Sequence, residues 1–269
     1  MTLPLVSIVI PTVNRPRRLE QAIISVATQT YPAIEIVVAN DGGPSVQALV
    51  ESAVGGRPFI YVEQTPGRGA GAARNLGLRA ATGQWMGYLD DDDYYLPHHV
   101  ETLASTLTAH PEWGAVYAVA EQVELWEENG QHREVARRLS YQENFSRAKL
   151  LIQNYIPNLC LMHRRSLLEQ SGGFDESLPA MEDWDFLIRL SFAADFGYVP
   201  QVTAGFTTVR NGPHRDRWDG KRAQIIRHIY DRYAPHTPPA IQKLQQEMML
   251  RYEYKAAQAE KTAGASGPG

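Results

Sequence analysis

Four consecutive carboxylates, Asp90, Asp91, Asp92 and Asp93, stand directly after the apolar run QWMGYL. Neighbouring carboxylates repel by about 1 kcal/mol per pair at 4 Å even in water, so such a run behind a strand needs a reason. A hard divalent cation supplies one, because Mg²⁺ and Mn²⁺ take oxygen ligands. An acidic turn capping the next helix is the plainer alternative. Glu182 and Asp183 precede an apolar helical pattern and follow the turn-rich GGFDESLPA. They read either as a general base at a helix N-terminus or as capping acids. GRGAGAARN fails as a dinucleotide fingerprint, since Ala72 stands where the third glycine belongs. It is either a turn before a helix or a phosphate- or base-facing loop with Arg74 as donor. His214, in RNGPHRDRW, is a metal ligand, a phosphate partner or an exposed loop histidine.

These residues need elements to position them. LVSIVIP reads as a buried strand over 5–10, after which Asn14 caps a helix with Pro16 in its first turn. IEIVVAN is a second strand ending at Asp41. A helix over 45–54, a strand over 59–63, a helix AARNLGLRAA and a strand over 84–89 follow. Leu96, Val100, Leu103 and Leu107 mark the next helix, with Pro97 in its first turn. The alternation implies βαβ units and a parallel sheet. Asn14, Asp41 and the aspartate run then fall at strand carboxyl ends, where open α/β sheets bind ligands.

The second half is less regular. WGAVYAVAEQVELWEE alternates as strands do, and NLCLMHRRSLLEQSG reads as strand then helix. WDFLIRLSFAA is a helix with Trp184, Leu187, Ile188 and Ser191 on one side. FGYVP and VTAGFTTV are two strands, and RAQIIRHIYDRYA is a helix ended by prolines. A last helix over about 240–258 carries a stripe of Ile241, Leu244, Met248 and Tyr252. That stripe suits the core, a second copy in a homo-oligomer, or a membrane surface. TAGASGPG is expected to be disordered.

Of 269 residues, 43% are hydrophobic and 21% charged, which is globular composition. A net charge of −4 argues against a dedicated nucleic-acid binder. One cysteine, Cys160, excludes an intrachain disulfide framework and a cysteine-rich zinc site. No run approaches the roughly 18 apolar residues of a transmembrane segment, and the N-terminal stretch lacks a basic n-region. The expectation is a cytoplasmic protein, at most peripheral at the inner face of the membrane.

Three segments in this order resemble family 2 glycosyltransferases of the GT-A fold: VSIVIPTVNRPRRLEQAIISVATQTYPAIEIVVANDGG, AARNLGLRAATGQWMGYLDDDDYYLPHHVETL and GGFDESLPAMEDWDFLIRLS. The resemblance covers residues 4–235. It implies an α/β fold with a Rossmann-like nucleotide-binding half over 1–118, its central sheet mostly parallel and flanked by helices. An acceptor-binding half over 119–235 and a C-terminal helix and tail over 236–269 follow. It implies an inverting, non-processive enzyme of cell-surface polysaccharide biosynthesis. The donor is a nucleotide-diphospho-sugar, UDP-linked or dTDP-linked, and the acceptor a saccharide, a lipid-linked molecule or a protein. By resemblance, Pro11, Thr12, Asn14 and Asp41 hold the base and ribose, and Arg74 and Asn75 line the same pocket. Asp90 and Asp92 form the Asp-x-Asp pair with Mn²⁺ or Mg²⁺, Asp92 being the direct ligand, and Asp91 or Asp90 reaches the ribose. Asp183 is the catalytic base with Glu182 beside it. Val13 stands where the family often has an aromatic ring. The stretch His214-Arg215-Asp216-Arg217-Trp218 replaces the Gln-x-x-Arg-Trp of processive members.

Two rivals remain at this stage. A metal-dependent nucleotidyltransferase normally has a glycine- and basic-rich phosphate loop after its first strand, and PTVNRPRR has no glycine. A non-catalytic nucleotide-sugar-binding module would best be betrayed by loss of one acid pair, and both pairs are present.

Overall fold

The computed structural model describes residues 3–128, 131–140, 142–210 and 219–265. The chain runs β1 (Val6–Thr12), α1 (Pro16–Ala27), β2 (Ile34–Asp41), α2 (Gln47–Ala53), β3 (Phe59–Gln64), α3 (Ala70–Ala80), β4 (Trp85–Tyr88), β5 (Asp93–Tyr95) and α4 (His99–Ala109). It continues through β6 (Ala115–Glu128), β7 (Gln131–Leu139), α5 (Arg147–Leu150), β8 (Leu161–Arg164), α6 (Leu168–Ser171), α7 (Glu182–Ala193), β9 (Phe196–Val209), α8 (Asp219–Tyr233) and α9 (Pro239–Ala265).

All nine strands join one sheet in the order β3-β2-β1-β4-β8-β6-β9-β5, with β7 paired to β6. The first four strands are parallel, as their continuous apolar runs require when both faces are covered. β8 enters antiparallel between β4 and β6, and β9 returns parallel to β6. Val6, Ile8 and Ile10 of β1 face a core shared with Leu19 and Ile23 of α1 and Leu103 of α4. Val9 faces the other core, with Leu78 of α3 and Phe186, Leu187 and Ile188 of α7. The halves inferred from sequence meet inside β6.

The sheet is curled, and chain length dictates it. β5 begins five residues after β4 ends, yet three strands separate the two. In a flat sheet they would lie about 19 Å apart, at about 4.8 Å per strand. Five residues reach at most about 18 Å when fully extended, and this stretch turns, with Asp93 N donating to Asp90 O at 3.1 Å. Curling brings β5 back to β4, so that the Tyr95 hydroxyl donates to the Tyr88 carbonyl at 2.7 Å.

Several expectations need correction. Asn14 does not cap α1. It sits at φ 55°, Arg15 takes the cap position, and no side chain closes the cap. Pro97 precedes α4, whose cap residue is His98. Asp93 belongs to β5, not to an acidic loop. FGYVP and VTAGFTTV form one strand, with the ladder to β6 shifting register beside Pro200, where a bulge absorbs the missing donor. β7 had no counterpart in the sequence reading. On α9 the buried positions are Gln245 and Met249, while Leu244 is exposed. The helix runs on to Ala265, through half of the tail expected to be disordered, and residues 266–269 lie outside the described residues. Among the described residues, no helix is long and apolar enough to cross a membrane.

Candidate active site

The carboxyl ends of β1, β2 and β4 and the start of α3 surround a cavity of about 250 Å³. Pro11, Thr12, Val13, Arg15, Asp41, Gly69, Arg74 and Asp90 to Asp92 are among its lining residues. A larger cavity, about 650 Å³, lies beside Gln84, Trp85 and Arg164. That is the amino end of β4, away from every clustered acid, so the smaller cavity is the candidate site.

The four aspartates do different things. Asp91 is buried and accepts from the Thr12 hydroxyl at 2.8 Å and from Arg15 Nη1 at 3.0 Å. Burial pushes its carboxyl up against the pull of those partners. Asp92 accepts from Arg15 Nη1 at 3.0 Å and Arg18 Nη1 at 3.2 Å. Asp90 accepts from Arg74 Nη2 at 2.6 Å. Asp93 turns inward on β5, where burial and then Asp90 and Asp92 hold its carboxyl well above the usual range. The repulsion expected among four equal charges is thus relieved by two surface arginines, one buried arginine and the upward shift of Asp93.

Arg74, on α3, is the centre of the site. Its guanidinium is buried, with Nη1 on Glu182 Oε1 at 2.5 Å and Nη2 on Asp90 Oδ1. Burial works against its charge, but Asp90 and Glu182 hold the proton above the ordinary arginine value. Nε is buried without a partner. Asp183 follows Glu182 at the start of α7 and accepts from Asn154 Nδ2 at 3.0 Å and from Trp184 N at 2.8 Å. Burial, with Glu182 alongside, pushes the Asp183 carboxyl up to about 6. Two residues on, buried Asp185 accepts from Arg189, Arg232 and the Tyr233 hydroxyl, which ties α7 to α8.

Asp41 organises the loop before α3. It accepts from Gln64 Nε2, Arg68 N and Gly69 N at 2.6–2.8 Å. The loop packs so closely that a Cβ on Gly67 would lie 2.4 Å from the Asp41 carbonyl oxygen. Asn75 does not line the cavity. Its amide is committed to Phe174 O, Phe174 N and Glu176, which clamp the 174–176 loop onto α3. Asn14 is exposed at the mouth of the first turn. His214 lies outside the described residues.

Arg15, Arg18 and Asn154 were missed in the sequence. The signal for the arginines was available: NRPRR follows the first strand at the same end of the sheet as the acid run. Asn154 lies in an irregular stretch with no periodicity to place it.

Among the described residues, no group of three or more His, Cys, Asp or Glu side chains forms a metal cage. Mg²⁺-type cations are usually held by one or two carboxylates plus substrate phosphates, and keep several waters. Asp90 and Asp92, with side chains 40% and 29% exposed at the cavity, fit that shared arrangement.

The curled α/β sheet is the GT-A fold of the solved glycosyltransferases it superposes on, and its relatives make the chain a glycosyltransferase. It belongs to glycosyltransferase family 2: the family model "Glycosyl transferase family 2" matches residues 7–170. The uncharacterized glycosyltransferase YwdF of Bacillus subtilis is 33% identical over 185 residues, 68% of this chain and 67% of that protein. The chondroitin synthase of Pasteurella multocida is 26% identical over 74% of this chain, which spans only 20% of the synthase. S. aureus TarS 1-349 in complex with UDP-GlcNAc superposes with a TM-score of 0.66 at 19% identity, covering 84% of this chain and 65% of that one. The mannosyltransferase PcManGT from Pyrobaculum calidifontis, in complex with GDP-Man and Mn²⁺, gives 0.67 at 20% identity, covering 100% and 77%.

Proposed function

We propose that the chain transfers a sugar, with inversion, from a nucleotide-diphospho-sugar to an acceptor hydroxyl. The observation that carries this reading is the Arg74 bridge. One guanidinium holds both Asp90, at the donor end, and Glu182, beside Asp183, so the acid run and the start of the Glu-Asp helix meet at one side chain. Residues 1–118 are assigned to the donor and 119–235 to the acceptor.

The base and ribose lie against Pro11, Thr12, Asn14 and Asp41. The attacking hydroxyl lies at Asp183. As its oxygen bonds to the anomeric carbon, Asp183 takes the proton and the bond to the diphosphate breaks. One base suffices, with no second carboxylate acting as a nucleophile. A carboxyl held up to about 6 is still ionised at pH 7 and more basic than an ordinary aspartate, which suits it to that transfer. Glu182 is paired with Arg74 and serves to hold it. A divalent cation, Mn²⁺ or Mg²⁺, on Asp92 with Asp90 alongside would supply neutralisation of the charge growing on the diphosphate. Nucleotide-sugar complexes of the structural neighbours support the donor class, and UDP is the first candidate.

The test is a melting-temperature screen of UDP, dTDP, GDP and CDP with and without Mn²⁺, since a ligand that binds only the folded state raises stability. A Mn²⁺-dependent rise with UDP, followed by UDP release from a UDP-sugar and acceptor, is expected. Pyrophosphate release from a nucleoside triphosphate would favour a nucleotidyltransferase instead, and binding without turnover would leave a sugar-binding module.

A further inference from the structure

Two arginines at the start of α1, Arg15 at the cap and Arg18 in the first turn, reach the acid run and are not used by the reaction above. Arg15 Nη1 bridges Asp91 Oδ1 and Asp92 Oδ2, both at 3.0 Å. Arg18 Nη1 reaches the same Asp92 oxygen at 3.2 Å. Both side chains are about half exposed, 46% and 47%, so leaving Asp92 would uncover no buried charge on either. Arg15 lines the cavity. Asp91 has a second, buried partner in Thr12, whereas the hydrogen bonds of Asp92 come from these two arginines.

Both guanidinium groups already share one oxygen of Asp92, and a third, doubly charged cation there adds strong repulsion. A divalent cation arriving at Asp92 repels both guanidinium groups and competes for the oxygen they hold. Displaced, they remain tethered to the start of α1 at the cavity mouth. The group that most rewards a guanidinium there is a phosphate, which it contacts with paired, charge-assisted hydrogen bonds. We propose that Arg15 and Arg18 are exchangeable counter-ions: they occupy Asp92 while the cation is away, and they turn onto the diphosphate of the donor when the cation takes Asp92. Donor and cation then favour one another's binding, because each gives the arginines or the acid the partner the other has removed. The proposal rests on the donor reading given above.

The experiment is calorimetric titration of the whole chain, first with Mn²⁺ alone and then with UDP at saturating Mn²⁺. Arg15→Gln/Arg18→Gln should bind Mn²⁺ alone about three- to tenfold more tightly than wild type, the range that loss of two exposed ion pairs spans. The same variant should bind UDP about tenfold or more weakly, through the lost charge-assisted bonds. Arg18→Gln alone, which leaves the Asp91 pair in place, should shift both affinities in the same directions by less. Mn²⁺ affinity unchanged or lowered in both variants overturns the counter-ion role. UDP affinity unchanged in both, with wild type binding UDP normally, overturns the transfer to the diphosphate. If wild type binds no UDP at any Mn²⁺ concentration, the donor reading fails and the diphosphate role falls with it. The Mn²⁺ titration still decides the exchange at Asp92 in that case.

Discussion

Asp183→Asn should make the protein more stable at neutral pH while removing its activity. The folded-state carboxyl is held at about 6 against an ordinary value of 3.8, with burial the main cause. Ionising it in the folded chain is therefore unfavourable. Between pH 3.8 and 6 the folded state keeps a proton that the unfolded state has lost, so stability falls as pH rises through that window and is level above it. The full penalty is about 2.2 units at 1.36 kcal/mol each, or about 3 kcal/mol. Asparagine removes the charge but has one accepting oxygen for two donors, Asn154 Nδ2 and Trp184 N. Losing one such bond costs about 1 kcal/mol. The net gain at pH 7.5 is about 2 kcal/mol, or roughly 4–8 °C in Tm for a chain of this size. At pH 4 the gain disappears and the variant is the less stable of the two. Sugar transfer should fall by about 10²–10⁴-fold in kcat, as loss of a general base requires, with UDP affinity little changed. Thermal melts from pH 4 to 8, read beside kcat, measure both effects. A variant destabilised equally at every pH would show that Asp183 is there for its hydrogen bonds, and the argument from its desolvated charge would be wrong.

Three further outcomes follow from the same geometry. Asp92→Ala should abolish Mn²⁺-dependent UDP binding by calorimetry and leave the melt within a few degrees of wild type, since its partners are exposed arginines. Asp41→Ala should cost about 1–3 kcal/mol by chemical denaturation, because the Arg68 and Gly69 amides lose their acceptor. It should also narrow any preference for UDP over CDP, and equal binding of both nucleotides by wild type would remove Asp41 from base recognition. Asp185→Ala strands two arginines against α7 and should cost about 3–5 kcal/mol, with activity lost through the displaced helix; a variant as stable as wild type would contradict the tie between α7 and α8.

The first half of the sheet was legible because β1, β2 and β4 are buried and read as unbroken apolar runs ending in polar residues. Asp41, Arg74, Asp90, Asp91 and Asp92 all line the cavity those ends enclose. The rest was hidden for identifiable reasons. β5 is three residues long and begins with an aspartate, so no pattern marks it. β7, QHREVARRL, is a polar hairpin partner whose pairing to β6 comes from backbone bonds and crossed charges such as Arg137 with Glu121. Asn14 carries a good capping side chain, but its left-handed backbone takes it out of the cap position. On α9, Ile241 and Tyr252 of the apolar stripe pack on the core, while Leu244 is exposed. The helix buries Gln245 instead, whose amide reaches the Leu151 carbonyl at 2.8 Å. The resemblance implies a pocket role for Asn75, and only its contacts show that it clamps the 174–176 loop onto α3 instead.

The curl of the sheet has a consequence for how this enzyme can diversify. The residues from Leu89 to Asp92 are a chord across the opening of the sheet, cut to length. Adding a residue would slacken the closure between Tyr88 and Tyr95; removing one would pull β5 off β9. The spacing of Asp90 and Asp92 and the closure of the sheet are therefore the same constraint, and the acid turn can change its side chains but not its length. New specificity must be built where length is free, and the β6–β7 hairpin is such a place. It extends past the region where β8 pairs with β6, and lengthening β6 and β7 together alters no span that closes the sheet.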